Sequence, residues 1–299
     1  VGGKCMMDAG QGVPAGLRET TEGSLAESVR LIEKWHGSEG DRLRYALAPR
    51  FVLSCTEGLL RKVQAIAIER GVRIHTHASE NATECDVVRE KTGMDNVSYF
   101  HHLGLLGTHT TLAHCVWLTA EEQRLLRESG TRVAHCPSAN FKLASGTAKI
   151  PELLKQGIVV GLGADGAPCN NNLDIFMELR LAALIHLPRG GPTSLSAMTV
   201  LEMATLNGAK ALGLEGEIGC LQEGARADVI TVDLSGAHST PSSTDAVASL
   251  VYSGQSQDVR DVVVNGQVLM RDRRLLNVDE TAILSAARAA SARLVGQLD

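Results

Sequence analysis

The segment IHTHASEN, Ile74 to Asn81, sets His75, His77, Glu80 and Asn81 within seven residues. A core strand has no use for that polarity, whereas a group that holds an ion or moves protons does. Farther along, His114 and His135 end two further β-rich runs, and Asp165 follows a third that ends at Gly163. Imidazoles and a carboxylate converging on one pocket suit a divalent metal such as Zn²⁺ with a position left open for water. Such an ion lowers the pKa of its water and makes hydroxide available near neutrality. Glu80, three residues beyond His77, is then placed to act as general acid and base.

The elements that must bring these residues together alternate between short β-rich runs and longer helical patterns, the mark of βα units on a parallel sheet. Strands are expected at Gly3–Met7, Arg44–Leu47, Val72–His77, Thr110–His114, Arg132–His135 and Ile158–Gly163. Helices are expected at Ser24–His36, Glu57–Arg70, Thr83–Lys91, Ala120–Ser129 and Ile150–Gln156, with two more at Asn171–His186 and Ser196–Gly208. In a parallel α/β barrel the C-terminal ends of all strands share one face, so residues far apart in sequence meet there. His75 is read as pointing to the face opposite His77, in a structural role. His101 and His102 fall between helices, and His36, His109, His186 and His238 lack a strand-end setting; all six are read as surface or capping residues. Cys115 and Cys136 follow site histidines and are read as buried, inert thiols. The glycine-rich Asp8–Gly16 is read as a βα loop, since it lacks the spacing of a dinucleotide fingerprint.

From about Ile218 the pattern changes to short strands at Asp228–Asp233, Ser249–Tyr252, Arg260–Asn265 and Gln267–Arg271, with Asn265-Gly266 as a hairpin signal. An Ala-rich helix over Asp279–Gln297 closes the chain. The expected organisation is a barrel-like domain over residues 1–216, a small β domain over 217–275 and a terminal helix over 276–299.

Composition excludes several classes of function. The 299 residues carry a net charge of −5, and no basic run offers the electrostatic footprint of a nucleic-acid binder. No apolar stretch approaches the ~18 residues of a membrane span. Seven scattered cysteines without a CxxC pair point to reduced thiols in a cytoplasmic enzyme rather than to a disulfide framework. With 44% apolar but only 3% aromatic residues, aliphatic side chains must fill the core.

At these motifs the sequence resembles the amidohydrolase superfamily, in particular its mononuclear-zinc aminohydrolases of purines and related heterocycles. Guanine deaminases are similar in APRFVLSC (residues 48–55), HASEN (77–81) and AHCP (134–137). Deaminases of S-adenosylhomocysteine, methylthioadenosine and 5′-deoxyadenosine are similar in AHCV (113–116), HCPSANFKLASG (135–146) and GADGAPCNNNLDIFMELRLA (163–182). The resemblance implies a deaminase of an amino-purine base or nucleoside. His77 and Asp165 would be metal ligands, Asp165 also taking the proton of the water. Glu80 would protonate the ring nitrogen, and His114 would hydrogen-bond the hydroxide or the developing oxygen. Arg50, Phe51 and His135 would contact substrate. The ion would be zinc, with iron as the other choice, the partner a small molecule, and the assembly one in which homo-oligomers are common. Triazine or cyclic-amide hydrolysis is the nearest alternative, and a metal-free scaffold or catalytically incomplete fragment is the alternative outside enzymes.

The family also carries a His-x-His at the end of its first strand. Counting back from Asp165 at the end of strand eight puts His77 on strand five and Gly3–Met7 on strand three. The expectation is therefore a (β/α)8 barrel of which this sequence, truncated at its N-terminus, holds strands three to eight.

Overall fold

Each early strand is followed by a helix whose ends the sequence marks. Thr56 accepts a hydrogen bond from the Leu59 N–H to open the helix Glu57–Arg70, and Gly71 closes it at φ 63°. Thr119 and Glu122 form a reciprocal capping box at the start of Ala120–Ser129, which stops at Gly130 with φ 69°. Asn81 caps Ala82–Thr92 through the Glu84 N–H. These pairings satisfy amide groups that a helix end leaves without partners, and glycine takes the left-handed closing position without a Cβ clash.

The computed structural model describes residues 1–10, 13–241 and 244–296. They fall into two units, Val1–Gly219 and Cys220–Asp299. In the first, six parallel strands pair in chain order: β1 (Cys5–Met6), β2 (Ala46–Pro49), β3 (Arg73–Ala78), β4 (Thr110–His114), β5 (Arg132–His135) and β6 (Val160–Leu162). One face of β3 is sealed, with Ile74, Thr76 and Ala78 at most 1% exposed. His75 is exposed and His77 half-buried on the other face. Leu47, Leu59, Leu60, Leu112 and Phe100 are wholly buried, so aliphatic packing dominates the core. Each such side chain contributes on the order of 1.5–3 kcal/mol by leaving water.

In the second unit β7 (Val229–Val232), β8 (Val259–Val264), β9 (Gln267–Arg271) and β10 (Arg274–Leu275) form an antiparallel sheet in the order β10-β9-β8-β7. Asn265 and Gly266 join β8 to β9 with φ of 48° and 78°, the paired positive angles a tight hairpin requires. The helix Glu280–Val295 follows; Gln297, the last residue of its expected span, lies outside the described residues, as do Gln11 and Gly12 of the Asp8–Gly16 loop. No helix among the described residues is long and apolar enough to cross a membrane.

Several expectations need correction. Ser249–Tyr252 is not a strand but the end of a helix, Ala246–Tyr252, opened by the Asp245 carboxylate on the Val247 and Ala248 N–H groups. The helix expected over Ser196–Gly208 is two, Ala197–Ala204 and Leu206–Leu212, broken where Thr205 leaves helical geometry at φ −120° and ψ −89°. Among the short helices without a sequence counterpart are Asn96–His102, which carries His101 and His102, and Pro137–Lys142. His75 does not face away from His77. Residues two apart on a strand share a face, and the two rings lie 6.5 Å apart.

Candidate active site

β3 delivers His77. Its Nδ1–H donates to the Arg50 carbonyl at 2.6 Å, and the same carbonyl accepts the His77 backbone N–H at 3.0 Å. This fixes the tautomer and leaves Nε2 as the lone-pair nitrogen, the arrangement of a metal-ligating imidazole held through its other nitrogen. Burial first, and the adjacent His114 second, push the pKa of His77 below the ordinary imidazole value. The neutral, ligating form is thereby favoured.

His114 reaches the same place by a different route. Its register partner is Ala78, which lies on the sealed face, while His77 aligns with Ala113. Strand alternation alone would therefore bury His114 on the wrong side. Its φ of 71°, followed by 49° at Cys115, turns the chain so that the His114 ring stacks on that of His77 at 5.1 Å. His114 is wholly buried. Its Nδ1–H donates to the Asn140 side-chain oxygen at 2.8 Å, and its Nε2 has no hydrogen-bond partner. That nitrogen lies 3.9 Å from a Glu80 oxygen.

Asp165 follows β6, also in the left-handed region at φ 61°, with one oxygen accepting the Gly166 N–H at 2.7 Å. Nitrogen and oxygen atoms of His77, His114 and Asp165 all come within 4.8 Å of one another. Two imidazoles and a carboxylate, one of them with an orphaned buried nitrogen aimed at the group, match the donor set of a divalent transition metal.

Glu80 is held at both ends. Ser145 donates its hydroxyl to one carboxylate oxygen at 3.3 Å, and the Glu80 backbone N–H donates to Glu84 at 2.8 Å. Glu84 is itself buried, which raises its pKa. The Arg50 side chain is exposed and lies over the Phe51 ring at 5.5 Å, next to the carbonyl that orients His77.

His135 does not join the cluster. It alternates with Ala134, the register partner of Ala113, so it sits on the opposite face. It is wholly buried with its ring 5.8 Å from His186, and neither of its nitrogens finds a partner. Burial lowers His135 to about 3 and His186 to about 4. His186, expected as a surface or capping residue, is buried at 5% exposure; it stands at the N-cap position of the short helix Leu187–Gly190, without a side-chain cap hydrogen bond. Cys115 and Cys136 are buried, and burial raises both thiols.

Sequence reading missed the supports: Asn140, Ser145, Glu84 and the Arg50 carbonyl. The Asn81-x-x-Glu84 spacing is a capping signature and was there to be read. Asn140 and Ser145 lie in a run whose pairing partners only the folded chain reveals.

Residues 1–269 match the model of the amidohydrolase family. The chain is 40% identical over 282 residues to a 5′-deoxyadenosine deaminase of Methanosarcina mazei, covering 94% of this chain and 65% of that protein. It is 39% identical over 284 residues to a 5-methylthioadenosine/S-adenosylhomocysteine deaminase of Syntrophomonas wolfei, covering 94% and 66%. A crystal structure of an adenosine deaminase from Xanthomonas campestris with bound zinc superposes with a TM-score of 0.91 at 30% identity, covering 98% of this chain and 66% of that one. The chain thus spans about two thirds of the length of these relatives.

Proposed function

Since this chain belongs to the amidohydrolase family, we propose that it is the greater part of a zinc-dependent aminohydrolase acting on an adenosine-type nucleoside, replacing the exocyclic amino group with oxygen and releasing ammonia. The observation that carries this reading is the convergence of His77, His114 and Asp165, with Glu80 beside His114. The names of the relatives, deaminases of 5′-deoxyadenosine and of methylthioadenosine or S-adenosylhomocysteine, favour a nucleoside over guanine. The six parallel strands are read as part of a (β/α)8 barrel, whose strand ends are the usual seat of catalysis. The unpaired thiols suit a reducing, cytoplasmic setting.

In this reading His77 and Asp165 would hold the ion, with His114 Nε2 directed at the same place. A divalent ion there would supply Lewis acidity, bringing deprotonation of water into the neutral range. Asp165 accepts the first proton from the attacking water and passes it to the amino group, which leaves as ammonia when its C–N bond breaks, while the proton left on the added oxygen restores Glu80. His114, its tautomer fixed by Asn140, hydrogen-bonds the oxygen through Nε2. Glu80, steadied by Ser145 and Glu84, delivers a proton to the ring nitrogen beside the attacked carbon. Arg50 and Phe51 border the substrate.

The test is ammonia release from 5′-deoxyadenosine, methylthioadenosine, S-adenosylhomocysteine, adenosine and guanine, with zinc measured in the same preparation. The reading expects zinc bound at the His77–Asp165 site and turnover of the nucleosides ahead of guanine. Zinc-loaded protein that turns over guanine alone, or none of the five, would overturn it.

A further inference from the structure

We propose that Glu178 is a positioning residue, a buried carboxylate whose two oxygens tie the Asp165 loop to the helix that orients His114. The role rests on the proposed metal centre. Glu178 lies on the helix Ile175–Leu184 and is 0% exposed. One oxygen accepts the Ser138 backbone N–H at 3.1 Å, in the first turn of Pro137–Lys142. Two residues on, that helix carries Asn140, the acceptor for His114 Nδ1–H. The other oxygen of Glu178 accepts the Asn170 side-chain amide at 2.8 Å. Asn170 spends its own oxygen on the Asn172 and Leu173 backbone N–H groups, at 3.1 and 2.8 Å. It thereby pins the segment that begins at Asp165. One side chain thus sets the spacing between two groups of the cluster that belong to different strands.

The chemistry requires a carboxylate at this point. Both partners of Glu178 are donors, and a glutamine offers one acceptor and one donor. Asn170 cannot turn over to compensate, because its oxygen is already committed to two backbone amides. Burying a charge is costly unless its oxygens are satisfied, and here each has a partner.

A reciprocal exchange of donor and acceptor tests the idea. Glu178→Gln alone sets an amide against the Asn170 amide. Asn170→Asp alone sets two carboxylates face to face. In the double variant the amide at 178 donates to the carboxylate at 170, whose other oxygen still accepts the two backbone N–H groups. Zinc affinity measured by chelator competition should fall about 10–100-fold in each single variant, the usual effect of losing an outer support of a metal site. It should return to within about threefold of the unmodified protein in the double variant, on that same scale. Hydrogen exchange at the Asn172 and Leu173 amides should quicken in both singles and slow again in the double. A Glu178→Gln protein that binds zinc as tightly as the parent overturns the proposal. So does a double variant no better than the worse single, in affinity, exchange or folding. The exchange readout needs neither zinc nor substrate, so it decides the Glu178 link even if the deaminase reading fails on the substrate panel.

Discussion

Asn140 offers the sharpest test of how the site is held. His114 and Asn140 are 0% and 1% exposed, and their 2.8 Å hydrogen bond is the one that sets the imidazole tautomer. Asn140→Ala leaves a buried ring N–H without an acceptor, at a cost of about 1–3 kcal/mol. In a unit the size of Val1–Gly219, 1 kcal/mol moves the unfolding midpoint by roughly 2–4 °C, so the metal-free variant should melt about 2–12 °C lower. A second effect is separable from the first. Without the Asn140 oxygen the proton is free to move to Nε2, the nitrogen aimed at Glu80. Nitrogen-15 spectra of histidine-labelled protein should then show the Nε2–H form of His114, absent from the parent. Turnover should fall while zinc at the His77–Asp165 site stays bound, because His114 contacts the attacking oxygen rather than the ion. An unchanged melting point together with an unchanged Nδ1–H tautomer would refute the reasoning, because both effects follow from one bond.

Other expectations are more compact. Glu80→Gln should lower turnover about 10²–10⁴-fold while zinc stays bound; a loss under tenfold would remove Glu80 from proton transfer. Glu122→Gln should lower the urea midpoint more than Glu84→Gln. Both oxygens of Glu122 accept hydrogen bonds, from Val97 and from Thr119, whereas one oxygen of Glu84 has no partner; equal losses would contradict this. His135 and His186 are held near pKa values of about 3 and about 4, below the 6.5 of free imidazole. The unfolded chain therefore binds more protons than the native one as pH drops below about 6.5. Stability should be fully present above that pH and be lost progressively down to about 4 for His186 and about 3 for His135. His186→Gln should flatten the stability–pH curve between 6.5 and 4, and a curve of unchanged slope would argue against a neutral buried His186.

Much of the fold could be read from local signals. Thr110–His114, Arg132–His135, Glu57–Arg70, Ala120–Ser129 and Gln267–Arg271 begin and end as their capping residues and alternation foretold. Ser249–Tyr252 misled because its β-branched, aromatic look concealed the Asp245 cap. The helix Pro137–Lys142 is too short for helical periodicity to register. In the candidate site, His77, Glu80, His114 and Asp165 were legible because polar groups at strand ends are conspicuous. His135 looked equivalent by position, yet parity sends it to the helix-packed face, beside His186. Asn140, Ser145 and Glu178 were not legible because their importance lies in contacts between segments 26 to 65 residues apart. No window along the sequence spans such distances.

The left-handed backbone at His114 bears on how such a site can change over time. A strand offers outward positions only at every second residue, so point substitution can install new ligands only at sites of the right parity. His114 occupies a forbidden slot that a local twist of the main chain makes usable, and non-glycine residues enter that region at a cost. Losing the imidazole takes one nucleotide. Recovering the function at residue 115 would need a different course of the main chain, because that neighbour does not inherit the orientation. The imidazole at 114 and its backbone geometry are therefore bound to be kept or lost together, because relaxing the turn returns that residue to the sealed face of the sheet.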